Sequence, residues 1–206
     1  LEIKRSEFIG HIKRVSTVED ARAYIESVRK TYHDARHVCS AFVIGADRDV
    51  QRSSDDGEPA GTAGVPMMQA LLARQTREDG TTDLSDVVAV VVRYFGGIKL
   101  GAGGLVRAYT DAVVQTLDGA LFDSRERLRV GEVPSSHAEA GRLENEMRAA
   151  GLNVLGTEYG AEGAVISVGV FDRAEELSRA EELVVSLSSG AASVTWGDTQ
   201  WVDLPV

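Results

Sequence analysis

Hydrophobic positions along the first 120 residues switch between a period of two, typical of strands, and a period of 3.6, typical of helices. A capping-box pattern of Ser16 and Glu19, with Thr17 as the alternative cap, precedes a helical stripe that runs from Ala21 to Tyr32. The run VVAVVV that begins at Val87 predicts a strand buried on both faces. Strands are predicted at residues 2–15, 38–44 and 86–95, and helices at residues 16–32, 65–75 and 105–117.

The remaining 86 residues show a more regular alternation. Ser136 and Glu139 form a capping box, and Gly151 is placed to end the helix that they begin. The order of predicted elements is β-α-β-β-α-β, that of the ferredoxin-like fold. Strands are predicted at residues 128–133, 153–159, 164–171 and 192–201, and helices at residues 136–150 and 173–187.

These patterns predict an α+β protein of two domains. Charge rises and periodicity is lost near residues 122–127, which sets the boundary between domains 1–122 and 123–206. The first domain is predicted to be a sheet covered by helices, and the second to be ferredoxin-like.

Glycine is concentrated in two blocks of the first domain. Eight of the 21 glycines lie in SSDDGEPAGTAGVP (residues 53–66) and RYFGGIKLGAGGLVRAY (residues 93–109). Glycine is needed where the backbone turns left-handed or lies close against another group. Both blocks lead into predicted helices, so we expect them to lie side by side on one face of the domain.

The second block has the features of an anion site. Its glycines can present backbone N–H groups at a helix N-terminus, and Lys99 and Arg107 add positive charge. Neither a Walker A nor a G-x-G-x-x-G pattern is present. The alternative is that the glycines only permit close packing of strand and helix. The candidate anion-binding residues are Arg93, Gly96, Gly97, Lys99, Gly101, Gly103, Gly104 and Arg107.

The first block brings together three carboxylates, Asp55, Asp56 and Glu58. Oxygen ligands so close in sequence are suited to Mg²⁺, which would bridge them to a phosphate on the second block. The alternatives are that they cap the following helix or form ion pairs with the cations of the second block. We predict no other cofactor and no resident metal site.

His37 and Cys39 are further candidates for lining a cleft. Alternate residues of a strand point to the same face, so the two side chains share one side of the predicted strand at residues 38–44. A nucleophilic cysteine–histidine pair would require them to be in contact.

Charge and cysteine content narrow the class of partner. The net charge is −10, and residues 125–206 hold only 7 Lys and Arg against 14 Asp and Glu, which disfavours extensive binding of nucleic acid. The stretch from Arg93 to Thr110 nevertheless contains three cations and no acid. A single cysteine and the lack of a membrane-length apolar run favour a cytoplasmic protein without a membrane partner.

Both glycine blocks resemble the signature segments of the YigZ/IMPACT family, as do residues 6–9 and 37–44. The resemblance covers about residues 1–120 and, by pattern, extends to the second domain of the bacterial branch. It implies a first domain with the fold of a ribosomal-protein superfamily, which also includes an elongation-factor domain. Eukaryotic members of the family regulate translation, but no established catalytic residues can be carried over to this chain.

Two functions are therefore open. The first is a translation-associated protein that docks on RNA, the ribosome or translation factors through its glycine loops. The alternative is an enzyme that acts on a phosphorylated or nucleotide ligand. In that case Lys99 and Arg107 would neutralise the phosphates, and the three carboxylates would hold a metal ion.

Overall fold

The computed structural model describes residues 1–204, and the chain divides into two compact units, Leu1–Leu121 and Phe122–Val206. Each unit combines an antiparallel sheet with helices, which confirms the predicted α+β class. Within residues 1–204 no helix has the length and apolar character to span a bilayer.

The elements of the first unit are β1 (Glu2–Ile3), β2 (Ser6–Arg14), α1 (Val18–Thr31), β3 (His37–Ile44), β4 (Val50–Ser54), α2 (Gly64–Ala73), β5 (Val87–Tyr94) and α3 (Ala102–Asp118). Those of the second are β6 (Ser124–Ser135), α4 (His137–Ala149), β7 (Asn153–Tyr159), β8 (Ala164–Phe171), α5 (Ala174–Leu187) and β9 (Thr195–Leu204).

The sheet of the first unit lies between two helical layers. Its strand order is β1-β2-β5-β3-β4, and every strand is antiparallel to its neighbours. On the central strand β5, Val88, Val90 and Val92 pack in the α1 layer, whereas Ala89 and Val91 point to α2 and α3. The prediction of a strand buried on both faces is therefore correct.

Helices α2 and α3 lie side by side and point in the same direction. Arg74, which follows the last residue of α2, forms an ion pair with Asp118 at the end of α3. Both N-termini therefore lie at the same end of the unit. Since α3 has 17 residues and α2 has 10, the first turns of α3 extend about 10 Å beyond α2.

The structure decides between the two predicted caps of α1 and differs from the sequence predictions at β4 and at the start of α3. The helix cap of α1 is Thr17, whose side chain accepts a hydrogen bond from the backbone N–H of Asp20, and not Ser16. Strand β4 was not predicted, because VQRSS has only one apolar residue and lies at the edge of the sheet. Helix α3 begins at Ala102, three residues earlier than predicted, so Gly103 and Gly104 belong to its first turn.

The second unit has the ferredoxin-like topology that the sequence predicted. Its elements follow the order β-α-β-β-α-β, and its strands are arranged β7-β8-β6-β9. Helices α4 and α5 cover one face of the sheet, where Leu143, Met147 and Val184 pack against Val133 and Ile166.

Candidate functional site

Asp55 organises the first glycine block by capping α2 from a distance. Its Oδ1 accepts hydrogen bonds from the backbone N–H groups of Ala63 (3.0 Å) and Gly64 (2.8 Å), and its Oδ2 accepts one from Gly61 (2.8 Å). No local side chain caps this helix, because the residue at the cap position is Ala63. Partial burial opposes ionisation of Asp55, but the three N–H donors outweigh it and hold the pKa of the carboxyl below its ordinary value of 3.8.

Asp55→Asn is expected to destabilise the first unit at neutral pH by about 1 kcal/mol, because the amide nitrogen cannot accept the hydrogen bond from Gly61. The pKa of Asp55 is lower in the folded state, so its contribution is complete above pH ~4 and is lost as pH falls through the folded pKa. Urea denaturation followed by circular dichroism at pH 7 and pH 3 should therefore show a larger difference between variant and wild type at pH 7 than at pH 3. An equal difference at both pH values would contradict the capping role.

Asp56 ties the same block to the start of β3. Its Oδ2 accepts the backbone N–H of Val38 at 2.7 Å, and both carboxylate oxygens lie 3.1 Å from the Arg29 guanidinium. The backbone of Asp56 is left-handed (φ 43°), and its carbonyl lies 2.9 Å from Nδ1 of His37. This bond fixes the half-buried His37 ring against the block.

Glu58 joins the first block to the second. Its Oε1 accepts hydrogen bonds from the Arg93 guanidinium (2.6 Å) and from the Tyr109 hydroxyl (2.9 Å). The Glu58 and Arg93 side chains are only 3% and 6% exposed, so the ion pair lies in the interior. Arg93 also reaches the Ser6 hydroxyl (3.4 Å), which accepts the backbone N–H of Gly96 (3.2 Å). The expected neighbouring position of the two blocks is thus realised through buried polar contacts.

Cys39 is completely buried and is linked to this ion pair through the Tyr109 hydroxyl. Its thiol lies 2.9 Å from the backbone carbonyl of Asp55 and 3.3 Å from the Tyr109 hydroxyl. Burial raises the pKa of the Cys39 thiol to about 12; the hydrogen bond with Tyr109 opposes this shift, and nearby carboxylates add to it. The thiol is therefore protonated at neutral pH and does not form the thiolate that nucleophilic catalysis requires.

Asp55 and Glu58 take the two structural roles that the sequence left open, whereas Asp56 takes a third that was not predicted. Asp55 caps a helix, Asp56 binds a strand terminus and an arginine, and Glu58 is part of the buried ion pair. Within residues 1–204, no three His, Cys, Asp or Glu side chains are grouped so as to hold a metal ion. Mg²⁺ would have to compete with these hydrogen bonds for the oxygens.

The glycines of the second block differ in their surroundings. A Cβ atom at Gly96 would lie 2.0 Å from the backbone carbonyl of Arg5, so this glycine permits close packing against the β1–β2 turn. Gly97 (φ 84°) and Gly101 (φ 74°) are left-handed, and Gly103 has open space around it. Gly104 lies against Leu100. The backbone from Gly97 to Gly103 is therefore accessible to a ligand.

Lys99 and Arg107 differ from Arg93 in their surroundings. Both are exposed, and neither forms an ion pair with any residue in the described part of the chain. Helix α3 has no side-chain cap at Gly101 and no acidic residue in its first turn. We call the exposed surface around Gly97, Lys99, Gly101, Gly103 and Arg107 the glycine-loop face.

The structure adds residues to this face that sequence reasoning missed. Phe95 and Ile98 are exposed on the second block, at 47% and 43%. Lys4 and Arg5 form the β1–β2 turn, which Gly96 brings alongside the second block. Apolar residues inside a glycine-rich loop were a usable signal, but the position of the turn depends on the pairing of β2 with β5.

Both glycine blocks lie in a region that is similar to known proteins. The Impact N-terminal domain matches residues 4–117, a region that contains both glycine blocks. The IMPACT family member YvyE of Bacillus subtilis (strain 168) is 35% identical over 204 residues, covering 99% of this chain and 89% of that protein. The IMPACT family member YigZ of Escherichia coli (strain K12) is 50% identical over 118 residues, 56% of this chain and 54% of that protein. A crystal structure of a hypothetical protein has a TM-score of 0.61 and 34% identity, covering 94% of this chain and 90% of that one.

Proposed function

The chain belongs to the IMPACT family, and on that premise we propose that it is a translation-associated protein that docks on RNA through the glycine-loop face. The observation that carries the proposal is the exposure of Lys99 and Arg107 without a carboxylate partner in residues 1–204. Unpaired surface cations beside accessible backbone N–H groups are the usual means of holding phosphate oxygens.

The placement of the acids supports this function. The carboxylates of the first block would weaken phosphate binding if they faced the same surface. Glu58 instead neutralises Arg93 in the interior, and Asp55 is bound to the N-terminus of α2. The positive charges on the glycine-loop face are therefore not cancelled by Asp55 or Glu58 of the first block.

The net charge of −10 limits where RNA can bind. Acidic surface elsewhere repels a phosphate backbone, which favours contact at a restricted site over wrapping. We therefore expect a small number of phosphate contacts and a correspondingly modest dependence of affinity on salt.

The enzymatic alternative has less support from the geometry. It requires carboxylates that are free to hold a metal, whereas Asp55, Asp56 and Glu58 are engaged in hydrogen bonds. It also gains no nucleophile from Cys39, because that thiol is buried and protonated. A thermal-shift screen with nucleotides and phosphorylated metabolites, with and without Mg²⁺, tests it directly, since a specific ligand raises the melting temperature.

Replacing Lys99 and Arg107 together by alanine is expected to weaken RNA binding and leave the melting temperature nearly unchanged. Each phosphate that the variant no longer neutralises should reduce the slope of log affinity against log salt by about 0.7 for single-stranded RNA. Fluorescence anisotropy with a labelled oligonucleotide, titrated at several salt concentrations, measures the affinity and the slope.

The matched control replaces Arg22 and Lys30, which are exposed on α1 at the opposite face of the sheet. This pair changes the net charge by the same amount and should barely alter the affinity. An equal loss in both double variants would show a general charge effect and contradict the proposed face. A third outcome is that the wild-type protein binds ribosomes but no isolated RNA, and that the Lys99/Arg107 variant loses ribosome binding. That result would point to a protein partner.

A further inference from the structure

Phe95 is held in a fixed position at the edge of the glycine-loop face. The Arg93 guanidinium lies between two rings, 5.4 Å from the centroid of Phe8 and 5.5 Å from that of Phe95. Glu58 anchors the guanidinium from below at 2.6 Å. Because cation–π contact restricts the ring on one side while 47% of Phe95 remains exposed, the residue offers a preorganised aromatic surface to solvent.

Exposed cations from two segments lie near this aromatic surface. The β1–β2 turn places Lys4 (φ 47°) and Arg5 (φ 64°) at its tip, and its backbone lies against Gly96, the residue next to Phe95. In the loop itself, Lys99 follows Gly96 by three residues, a separation of at most about 11 Å along the chain. Both groups of cations are exposed and close enough to contact neighbouring phosphates of one RNA strand.

The carboxylates nearest to the turn are Glu2 and Glu7, which pair across β1 and β2 below its tip. They partly offset the charge at the base of the hairpin. The exposed cations Lys4, Arg5 and Lys99 outnumber these two carboxylates near Phe95. The patch is therefore positive and contains an aromatic ring, in a chain whose total charge is negative.

Resting on the proposed RNA-binding function, we propose that the ligand is single-stranded RNA, with one base stacked on Phe95 and its backbone between the Lys4–Arg5 turn and Lys99. A duplex hides the faces of its bases within the stack, whereas an unpaired base can lie flat on an aromatic side chain. Glu58 and Arg93 act as positioning residues, since they hold the ring without touching RNA.

Anisotropy with a short, labelled, unstructured RNA and with the same sequence as a duplex tests the proposal. We expect tighter binding of the single strand. Phe95→Ala should reduce affinity about 5- to 150-fold, the range for one stacked base, and Phe95→Trp should preserve it. Trp201→Ala is the matched control, because Trp201 is an aromatic side chain exposed to a similar extent (45%) in the second unit and should leave the affinity nearly unchanged.

A second variant tests the flanking turn without straining it. Lys4→Asn together with Arg5→Gly removes two charges and creates the Asn-Gly sequence preferred in a two-residue turn that is left-handed at both positions. The melting temperature should not fall. The salt slope should drop by about 0.7 for each phosphate that Lys4 or Arg5 neutralises in the wild type.

The outcomes separate this inference from the function on which it rests. If the protein binds duplex RNA as tightly as single-stranded RNA, or if Phe95→Ala does not change the affinity, stacking of an unpaired base is overturned. The proposal that the protein docks on RNA is unaffected by either result. Failure to bind either RNA would overturn both. Unchanged salt dependence in the turn variant would remove the Lys4–Arg5 turn from the site.

Discussion

Glu58→Ala is expected to destabilise the first unit by about 3–5 kcal/mol, the largest effect that we expect of any single substitution. The change leaves the Arg93 guanidinium in the interior without its counter-charge, and it removes the acceptor of the Tyr109 hydroxyl. Thermal unfolding and amide hydrogen exchange in β5 measure the destabilisation, and exchange assigns it to the first unit.

Two controls define the origin of that destabilisation. Removing both Glu58 and Arg93 should cost less than the sum of the single changes, because the double variant leaves no unpaired charge. Glu26→Ala breaks an exposed ion pair with Arg29 and should change stability by less than about 1 kcal/mol. A Glu58→Ala variant as stable as Glu26→Ala would contradict the structural role of the buried pair.

Gly96→Ala is expected to destabilise the same unit by about 3 kcal/mol, at the upper end of overpacking effects. The new Cβ would lie 2.0 Å from both the carbonyl carbon and the oxygen of Arg5, and backbone cannot rotate away as a side chain can. The displaced β1–β2 turn should also weaken RNA binding. Denaturation and anisotropy on the same variant measure the two effects.

Gly103→Ala provides the contrasting case within the same glycine block. Its Cβ would meet no atom within 4 Å, and the residue lies in the first turn of α3. Alanine favours a helix over glycine by up to about 1 kcal/mol, so stability should rise. Similar destabilisation in both variants would mean that close approach to Arg5 is not what requires glycine at Gly96.

The elements of the fold were predictable where hydrophobic periodicity was strong. The VVAVVV run predicted β5, and the caps and turn signals of residues 125–206 predicted the ferredoxin-like order. Strand β4 was missed because it is held by pairing with β3 rather than by apolar residues of its own. The start of α3 was misplaced because glycine disfavours a helix locally, and packing against β2 and α2 overrides that preference.

The candidate site was predictable in its location and not in its chemistry. The sequence pattern identified both glycine blocks, and it left helix capping and ion pairing open as roles for the acids. Which acid takes which role depends on contacts such as Glu58 with Arg93, 35 positions apart, and these are fixed only by the sheet register. The same limitation led us to group Arg93 with Lys99, although one is buried and the other exposed.

The buried Cys39 is an intrinsic probe of the first unit, and the two tryptophans are intrinsic probes of the second. The one cysteine of the chain is buried in the first unit, where it contacts Asp55 of one glycine block and Tyr109 of the other. Both tryptophans, Trp196 and Trp201, lie in the second unit. A thiol reagent can reach Cys39 only when the contacts between the two glycine blocks open, so the labelling rate reports the free energy of that local opening. Indole fluorescence reports unfolding of the other unit in the same sample, so the cooperativity of the two units can be measured without changing any residue of the chain.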